Sequence, residues 1–584
     1  MSDHARLARL EARISYGRLI AVAAVAVCAW LALVREGAGH LPAWSIAAPM
    51  AGFVALAVWH DRVLRVAART ARAIAFYDDG IARLGDRWHA CGETGVRFLS
   101  EDHLYARDLD IFGPGSLFQL LSRARTALGE HRLAEWLSDA APLPTVRLRQ
   151  DAIVELRDQL DFREALATMG GSSRDIDTTA LIAWASAPAA PEKRWLRLAA
   201  VALAIGIFAT GVWWLRGGPI APLFLVLILK MALTRPSRQR VTHVIRGVEA
   251  PLRQLDVLSD TLAMIERAPF RSARLDQIRS EIISQGVMPS LAIRKLGRLA
   301  AMLDWRRNAI FAPISAAISW PLHLAAAIES WRREFGEKVL AWLSAVADYE
   351  ALSSLATYAY EHSDDPFPEF VEEGPARFEA THLGHPLVPA ARMVRNDVML
   401  TTDVRLLIVS GSNMSGKSTL LRTVGVNVVL GMTGAPVRAA RLAMTPLAIG
   451  ATLLVNDSLH AGRSRFFAEI SRIRAIVDLT DSRPEPIFLL DELFQGTNSH
   501  DRRIGAEALL ISLIDRGAIG LTTTHDLALT AIAEPAQGRV VNVHFEDHLR
   551  DGELVFDYRM KPGPVTHSNA LALMKAVGLP VAHH

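Results

Sequence analysis

The sequence predicts a multidomain protein of α and α/β parts, with transmembrane helical hairpins, a helical core or lever domain and a C-terminal nucleotide-binding domain built on a mostly parallel sheet. Three observations carry this prediction. A chain of 584 residues is long enough for several domains. Its mean hydropathy of +0.20 is high for a soluble multidomain protein and indicates membrane segments. An apolar run that breaks into a glycine-rich loop, residues 406–418, indicates the α/β domain.

The charge and the cysteine content limit the classes of protein to which this sequence can belong. A formal charge of +3 is almost neutral for this length, so overall charge neither requires nor excludes nucleic acid as a partner. Two cysteines, Cys28 and Cys91, cannot form a disulfide framework or a four-ligand zinc site. A reducing compartment is the simpler interpretation for the soluble part.

Residues 19–59 form the first predicted transmembrane hairpin, after a basic N-terminal segment, residues 1–18. Its two runs are uncharged, and Trp44 and Trp59 lie near the ends of the second run, where interfacial aromatic residues are common. Both outer flanks are basic, which places both ends in the cytoplasm. A cleaved signal peptide is the alternative, but it explains only the first run.

Residues 198–233 form the second predicted hairpin, again with basic flanks. Its return leg is short and requires Lys230 to extend its ammonium towards the interface. A buried hairpin of a soluble core is the alternative. Residues 309–328 are also nearly uncharged, but prolines and polar residues interrupt them, so a buried helix is favoured over a fifth span.

The remaining segments complete the predicted domain organisation. In residues 116–138 apolar side chains recur with a period near 3.6, which predicts a helix that faces a core. The predicted parts outside the hairpins are the helical core or lever at 60–197 and 234–362, a linker at 363–377, and the nucleotide-binding domain at 378–584.

The stretch 406–418 is a complete P-loop motif. Its glycines let backbone amides surround the phosphates of a nucleotide, with Lys417 placed for the β and γ oxygens and Ser418 for Mg²⁺. The alternative is a chance glycine turn, against which the apolar strand before it and the helical segment after it argue. The residues predicted to bind the nucleotide are Gly411, Asn413, Ser415, Gly416, Lys417, Ser418 and Thr419.

Two further strands predict the rest of the site. The apolar run 486–490 ends in Asp491, suited to the Mg²⁺ shell, and Glu492, which can position or deprotonate the attacking water. A later strand ends in His525, a sensor of the γ-phosphate if the strands lie side by side. Alone, such a histidine is more often a structural residue.

Five segments resemble, in the same order, the ATPase domain of the MutS family of DNA mismatch-repair proteins. They are residues 384–386, 411–419, 457–469, 489–501 and 524–525. The resemblance implies that ATP is held at a homodimer interface similar to that of ABC ATPases. It assigns Lys417, Ser418, Asp491, Glu492 and His525 to ATP in the same subunit, and Ser464 to the γ-phosphate of the facing subunit.

The chain also departs from the family pattern. Family members that read mismatches carry an N-terminal domain with a Phe-x-Glu wedge, whereas this N-terminus is basic and apolar. Arg465 replaces the threonine of the signature segment, and Phe494-Gln495 replace Gly-Arg. The combination of this ATPase domain with two hairpins resembles the membrane-associated bacterial branch of the family. This implies a multi-pass protein of the inner (cytoplasmic) membrane with its ATPase and helical domains in the cytoplasm.

Two functions remain open on the sequence. The first is a membrane-anchored MutS-like ATPase whose levers move with ATP and grip DNA, with non-specific binding favoured over mismatch reading. The second is an ATP-driven membrane machine or scaffold that acts on a protein or envelope partner without nucleic acid. The basic clusters at 235–246 and 294–307 fit DNA phosphates or, preferably, anionic lipid.

Overall fold

The computed structural model describes residues 2–33, 42–169, 178–188, 194–235, 241–242, 244, 255–283, 286–305, 311–412, 414–453, 465–495, 498–534, 536, 538–550 and 553–565. The chain divides into two compact units, which are residues 1–82 with 160–171, and residues 83–159 with 172–584.

Fifteen α-helices with described bounds precede the sheets in the chain. They are α1 (Ser2–Leu33), α2 (Ala47–Leu84), α3 (Leu117–Leu121), α4 (Ala127–Ser138), α5 (Leu143–Arg157), α6 (Leu160–Thr168), α7 (Thr178–Ser186), α8 (Arg194–Leu215), α9 (Ala221–Thr234), α10 (Leu255–Arg267), α11 (Ala273–Ile283), α12 (Pro289–Asp304), α13 (Ala312–Ala317), α14 (Trp320–Phe335) and α15 (Val339–Glu361).

Helices α1, α2 and α6 build the first unit. The Arg18 guanidinium lies 5.6 Å from the ring centroid of Phe53, and Arg72 Nε donates to the Thr168 carbonyl at 2.8 Å. Helix α2 does not end at residue 59, where the sequence predicts the end of the first hairpin. It continues to Leu84 because residues 60–79 contain neither proline nor glycine.

Helices α8 and α9 form the second apolar hairpin. The ideal Cβ position of Gly206 lies 3.4 Å from Val226, so the two helices approach closely there. Their outer faces are apolar and open, with Phe208 75% and Leu198 72% exposed. Within the described residues two helical stretches, Arg13–Ala32 and Arg194–Leu215, are long and apolar enough to cross a membrane, while α9 is shorter.

Two helices expected from the sequence are each broken into two. The segment 116–138 forms α3 and α4 because Thr126 caps α4, accepting from the Gly129 amide at 3.0 Å. The buried Glu350 carboxylate accepts from both the amide and the hydroxyl of Thr126. The single helix expected near 309–328 is likewise wrong, because Ser319 adopts a left-handed conformation between α13 and α14.

The C-terminal domain follows α15, which packs against α4 and α5. Its elements are β1 (Glu369–Phe370), β2 (Phe378–Leu383), β3 (Asn396–Leu400), β4 (Leu406–Ser410), α16 (Lys417–Thr433), β5 (Arg441–Met444), β6 (Ala448–Thr452), α17 (Arg465–Asp478), β7 (Pro486–Asp491), α18 (Ser499–Asp515), β8 (Ile519–Thr524), α19 (Leu527–Thr530), β9 (Val540–His544), β10 (Asp547–Arg550), β11 (Glu553–Phe556) and β12 (Lys561–Pro562). Strand β1 lies inside the expected linker, where its two residues pair with Ala443 and Met444 of β5.

The main sheet has the strand order β12-β9-β4-β8-β7-β6. All of its described pairings are parallel except that of β12 with β9, as the prediction of a mostly parallel sheet requires. The register pairs Ser410 with Thr524, and Asp491 with Thr523. The carboxyl ends of three neighbouring strands, β4, β8 and β7, therefore meet at one edge, where ligands of α/β sheets usually bind.

Candidate functional site

The glycine-rich loop joins β4 to α16. Gly411 has φ 145°, and a Cβ there would lie 2.8 Å from the Phe545 carbonyl oxygen. Gly416 has φ 105° and caps α16, and a Cβ there would lie 3.0 Å from the Tyr558 ring. Both positions therefore require glycine, since a side chain would be strained in conformation and would also collide with a neighbour.

The Lys417 ammonium lies inside this loop. It is buried and donates to the carbonyl oxygens of Gly411 at 2.8 Å and Ser412 at 2.9 Å. Burial lowers the pKa of Lys417, and the nearby charges of Glu492 and Asp491 act in the opposite direction. The site thus presents a desolvated cation to whatever the loop encloses.

Two loop hydroxyls have no hydrogen-bond partner among the described residues. They belong to Ser412 and Ser415, and both oxygen atoms are buried. Buried hydroxyls in proteins are nearly always hydrogen-bonded, so these two are available to donate to a group that the loop encloses. Together with Lys417 and the helix N-terminus, these donors fit the oxygens of a phosphate chain.

Asp491 links the loop to the strand ends. The Ser418 hydroxyl donates to Asp491 Oδ2 at 2.7 Å, and the Thr523 hydroxyl donates to Oδ1. No group of three His, Cys, Asp or Glu that could hold a metal occurs in the described ranges. Mg²⁺ in nucleotide sites needs only one or two protein oxygens, because water and phosphate supply the others. The Ser418 hydroxyl and the Asp491 carboxylate fit that donor set.

Glu492 follows Asp491 in the chain, and each of its two carboxylate oxygens has a polar partner. His525 Nδ1 is 3.2 Å from Oε1, and the Gln495 amide donates to Oε2. The Glu492 backbone is left-handed, φ 49°, and its amide donates to the Thr523 hydroxyl at 3.2 Å. A strained, over-determined residue at a strand end is typical of functional sites.

The structure brings most of the predicted site residues to this one edge of the sheet. These are Gly411, Ser415, Gly416, Lys417, Ser418, Thr419, Asp491, Glu492 and His525. Asn413 and Ser464 lie outside the described residues.

Sequence reasoning missed two side chains that contact the acidic pair, Thr523 and Gln495. Thr523 had a signal in the run of three threonines, 522–524, that ends an otherwise apolar strand. Gln495 was noted only as a departure from a family pattern, and its contact with Glu492 depends on the turn after β7. Phe494, the other departure, is buried and has φ 58° in that turn.

A cavity of about 520 Å³ opens next to the loop and was also missed. Residues that line it include His385, Met393, Asn396, Thr419 and Tyr558. Asn396 donates to the Tyr558 carbonyl at 3.0 Å and accepts from the Met560 amide at 2.8 Å, which fixes the wall. Burial, with a smaller effect of Arg422, lowers the pKa of His385 to about 4, so this imidazole is neutral at pH 7.

Several large apolar side chains on the glycine-rich loop, α17 and α18 are exposed. Met414 is 84% exposed, and Phe467, Ile470 and Ile504 are also exposed. Phe467 and Ile470 lie on the first turns of α17, just after the position of Ser464 in the chain.

Fold and site therefore define an α/β domain with a glycine-rich loop at the carboxyl edge of a parallel sheet, attached to a large helical region. Residues 407–583 match the family model described as MutS domain V. The protein named "DNA mismatch repair protein MutS 2" of Haloarcula marismortui is 35% identical over 205 residues, which are 34% of this chain and 21% of that protein. The C-terminal domain of this chain is therefore similar to domain V of the MutS family, and the chain matches about a fifth of the length of this curated relative.

Proposed function

We propose that the protein is a membrane-anchored, MutS-like ATPase that binds Mg²⁺-ATP in the glycine-rich loop and hydrolyses it to move its helical levers. The observation that carries this proposal is the hydrogen-bonded set of Ser418, Asp491 and Thr523 beside the pair of Glu492 and His525. The similarity of the C-terminal domain to the MutS family supports the activity in general terms.

Each side chain has a definite task in this proposal. Lys417 and the loop amides hold the phosphates, and the Ser412 and Ser415 hydroxyls donate to phosphate oxygens. Mg²⁺, held by Ser418 and Asp491, would neutralise charge on the phosphates. Glu492 orients the attacking water and accepts its proton, while His525 and Gln495 hold the two oxygens of that carboxylate in place.

The nucleoside of ATP would occupy the cavity between His385, Asn396 and Tyr558. This cavity adjoins the loop at Gly416 and Thr419, and its wall is apolar and aromatic with few polar groups, as nucleotide sites require. Nδ1 of the neutral His385 accepts from the Leu387 amide at 3.2 Å, so Nε2–H is the group that can donate to the nucleoside, without attracting the phosphates away from Lys417.

A homodimer would complete the site. The exposed Met414, Phe467, Ile470 and Ile504 offer the apolar contact, and Ser464 would reach the nucleotide of the facing copy. Sedimentation of the purified protein tests this part. The proposal expects ATP to shift the chain to a dimer, and Phe467→Asp to prevent the shift.

The apolar helices would anchor the protein in the inner membrane, with both ends of each hairpin in the cytoplasm. Large exposed side chains on α8 and α9, such as Phe208, Leu198 and Leu225, support this location. Membrane fractionation with an alkaline wash tests it. An integral protein stays in the washed membrane, and recovery of the whole chain in the soluble fraction would rule out anchoring.

The ATPase is tested by hydrolysis assays on the purified full chain. Lys417→Ala should abolish ATP binding and turnover because it removes the cation within the loop. The matched control, in an assay without DNA, is Lys295→Ala, since Lys295 is an exposed lysine of α12, in the helical region. Equal turnover in Lys417→Ala and the wild type would refute the assigned site.

There are two candidates for the partner on which the helical levers act. DNA is favoured by the similarity to the MutS family and by the exposed Lys295 and Arg298 on α12. A protein or envelope partner without nucleic acid is favoured by the apolar hairpins. ATPase activity that responds to duplex or branched DNA supports the first, and a membrane ATPase insensitive to every DNA tested supports the second.

A further inference from the structure

We propose that the cavity between α9 and the corner formed by α13 and α14 binds the headgroup of an anionic phospholipid. The cavity has a volume of about 680 Å³. Lys230 and Met231 of α9 line one side, and Ser315, Ser319 and Pro321 line the other. This inference rests on the proposed membrane location of the second hairpin.

Lys230 supplies a positive charge that no carboxylate neutralises within the described residues. Its side chain is buried although the hairpin around it is uncharged. The ammonium donates to the carbonyl oxygens of Ala316 and Ala317, the latter at 2.5 Å, at the end of α13. These bonds use two of its three N–H groups. The third N–H group and the positive charge of the ammonium are suited to an anion in the cavity.

Ser319 provides an independent sign of a ligand. It is 7% exposed, lines the cavity, and its hydroxyl has no hydrogen-bond partner among the described residues. It also adopts φ 52° and ψ 40°, a left-handed conformation that favours glycine. Because position 319 carries serine and not glycine, a buried donor lies at the cavity wall, where a phosphate oxygen can accept from it.

The surroundings favour a lipid over a soluble phosphate. Leu227 and Met231 extend the cavity wall onto the open apolar face of the hairpin, where Met231 is 62% exposed and Ile228 63%. An acyl chain would lie along this face. The rings of Trp305 and Trp320 stack with their centroids 6.5 Å apart, and Trp320, the first residue of α14, directly follows Ser319. Such aromatic residues are enriched at the membrane interface.

The test uses the full chain in nanodiscs of phosphatidylcholine with a minor fraction of phosphatidylglycerol. Lipids that stay with the released protein are counted by native mass spectrometry. The wild type should retain phosphatidylglycerol several-fold above its bulk fraction. Lys230→Met, which keeps the length and apolar body of the side chain, should return the ratio to the bulk value.

Two more variants separate a ligand role from a structural one. Ser319→Gly should lower phosphatidylglycerol retention although glycine suits the left-handed backbone and should leave folding intact. Arg216→Gln removes a positive charge at the exposed turn of the same hairpin and should leave retention unchanged. Equal enrichment in Lys230→Met and the wild type, or in Ser319→Gly and the wild type, overturns the proposal.

The result is distinguishable from failure of the proposed membrane location. If the chain stays in alkaline-washed membranes but shows no phosphatidylglycerol enrichment, the lipid site alone fails. If the chain is soluble, the membrane location fails, and short-chain phosphatidylglycerol added to the soluble protein then tests the cavity directly. Displacement of that lipid by inorganic phosphate at equal concentration would overturn the lipid assignment in favour of a soluble anion.

Discussion

Asp108 of the helical core pairs with Arg472 of α17 in the C-terminal domain, and its Oδ1 atom accepts from the Leu453 amide at 2.6 Å. The Asp108 side chain is fully buried. Leu453 and Arg472 lie on either side of the segment that contains Ser464. One carboxylate of the helical core therefore holds both flanks of the segment that we propose completes the facing site.

Asp108→Asn should destabilise the protein and weaken ATP hydrolysis. The substitution leaves Arg472 without its buried counter-charge, which typically costs about 3 kcal/mol. It also loosens the flanks of the Ser464 segment. Thermal unfolding in detergent and the rate of ATP hydrolysis are the measurements.

A second ion pair on the same helix provides the control for Asp108→Asn. Arg474 pairs with Asp478, and both side chains are exposed. Arg474→Gln should change the free energy of unfolding by less than about 1 kcal/mol. Similar effects of the two substitutions would show that the Asp108 pair has no special role.

Acidification should destabilise the nucleotide-free protein through His385. Its pKa is lowered from 6.5 to about 4 in the folded chain, so the unfolded chain binds the extra proton first. The resulting stability is complete above pH 6.5 and is lost as the pH falls towards 4. Between pH 7.5 and pH 5 the loss is about 2 kcal/mol.

The comparison that checks the His385 effect is with His385→Gln. This variant should lose less stability than the wild type over the same range of pH, as measured by thermal unfolding. His131→Gln, which changes an exposed histidine, should follow the wild type. Parallel curves for His385→Gln and the wild type would mean that another group causes the acid sensitivity.

Asp491→Asn should raise the Mg²⁺ concentration needed for half-maximal hydrolysis by about tenfold or more, because an interaction with a charged group contributes about 1.5 to 3 kcal/mol. Thr523→Val should have a smaller effect in the same direction, since it removes only the hydroxyl that holds Oδ1. A Mg²⁺ titration of ATPase activity measures both. An unchanged midpoint in Asp491→Asn would exclude this carboxylate from the metal site.

Neutralising Lys295 and Arg298 tests whether α12 contacts DNA. Each phosphate contact contributes about 0.9 to the slope of log affinity against log salt, so the double variant Lys295→Gln/Arg298→Gln should reduce the slope by about 2. Fluorescence anisotropy with duplex DNA over a salt series measures it. A wild-type slope near zero would leave a protein or envelope partner as the better candidate.

The acidic and histidine side chains of the site could be predicted from the sequence because they directly follow apolar strands. Asp491 and His525 follow such runs, and parallel pairing of β7, β8 and β4 places those ends together. The segment 116–138 was predicted as one helix because its apolar period continues across the break. Its interruption depends on Glu350, which is more than 200 residues away in the chain.

The parts that could not be predicted depend on tertiary contacts. Gln495 reaches Glu492 only because the turn after β7 is left-handed at Glu492 and Phe494. The cavity next to the glycine-rich loop needs Asn396 to hold the 558–560 segment, and no local pattern connects the two. The strand β1 exists because β5 offers a partner to a two-residue extended stretch within a polar linker.

Single-turnover hydrolysis by Glu492→Gln tests the central claim most directly. The substitution keeps the shape of the side chain but removes the base, so ATP should bind and the chemical step should slow by about 10² to 10⁴. ATP should also accumulate on a trapped dimer, whereas Gln495→Ala should still turn over. Hydrolysis at the wild-type rate in Glu492→Gln would contradict the assignment of this site as an ATPase.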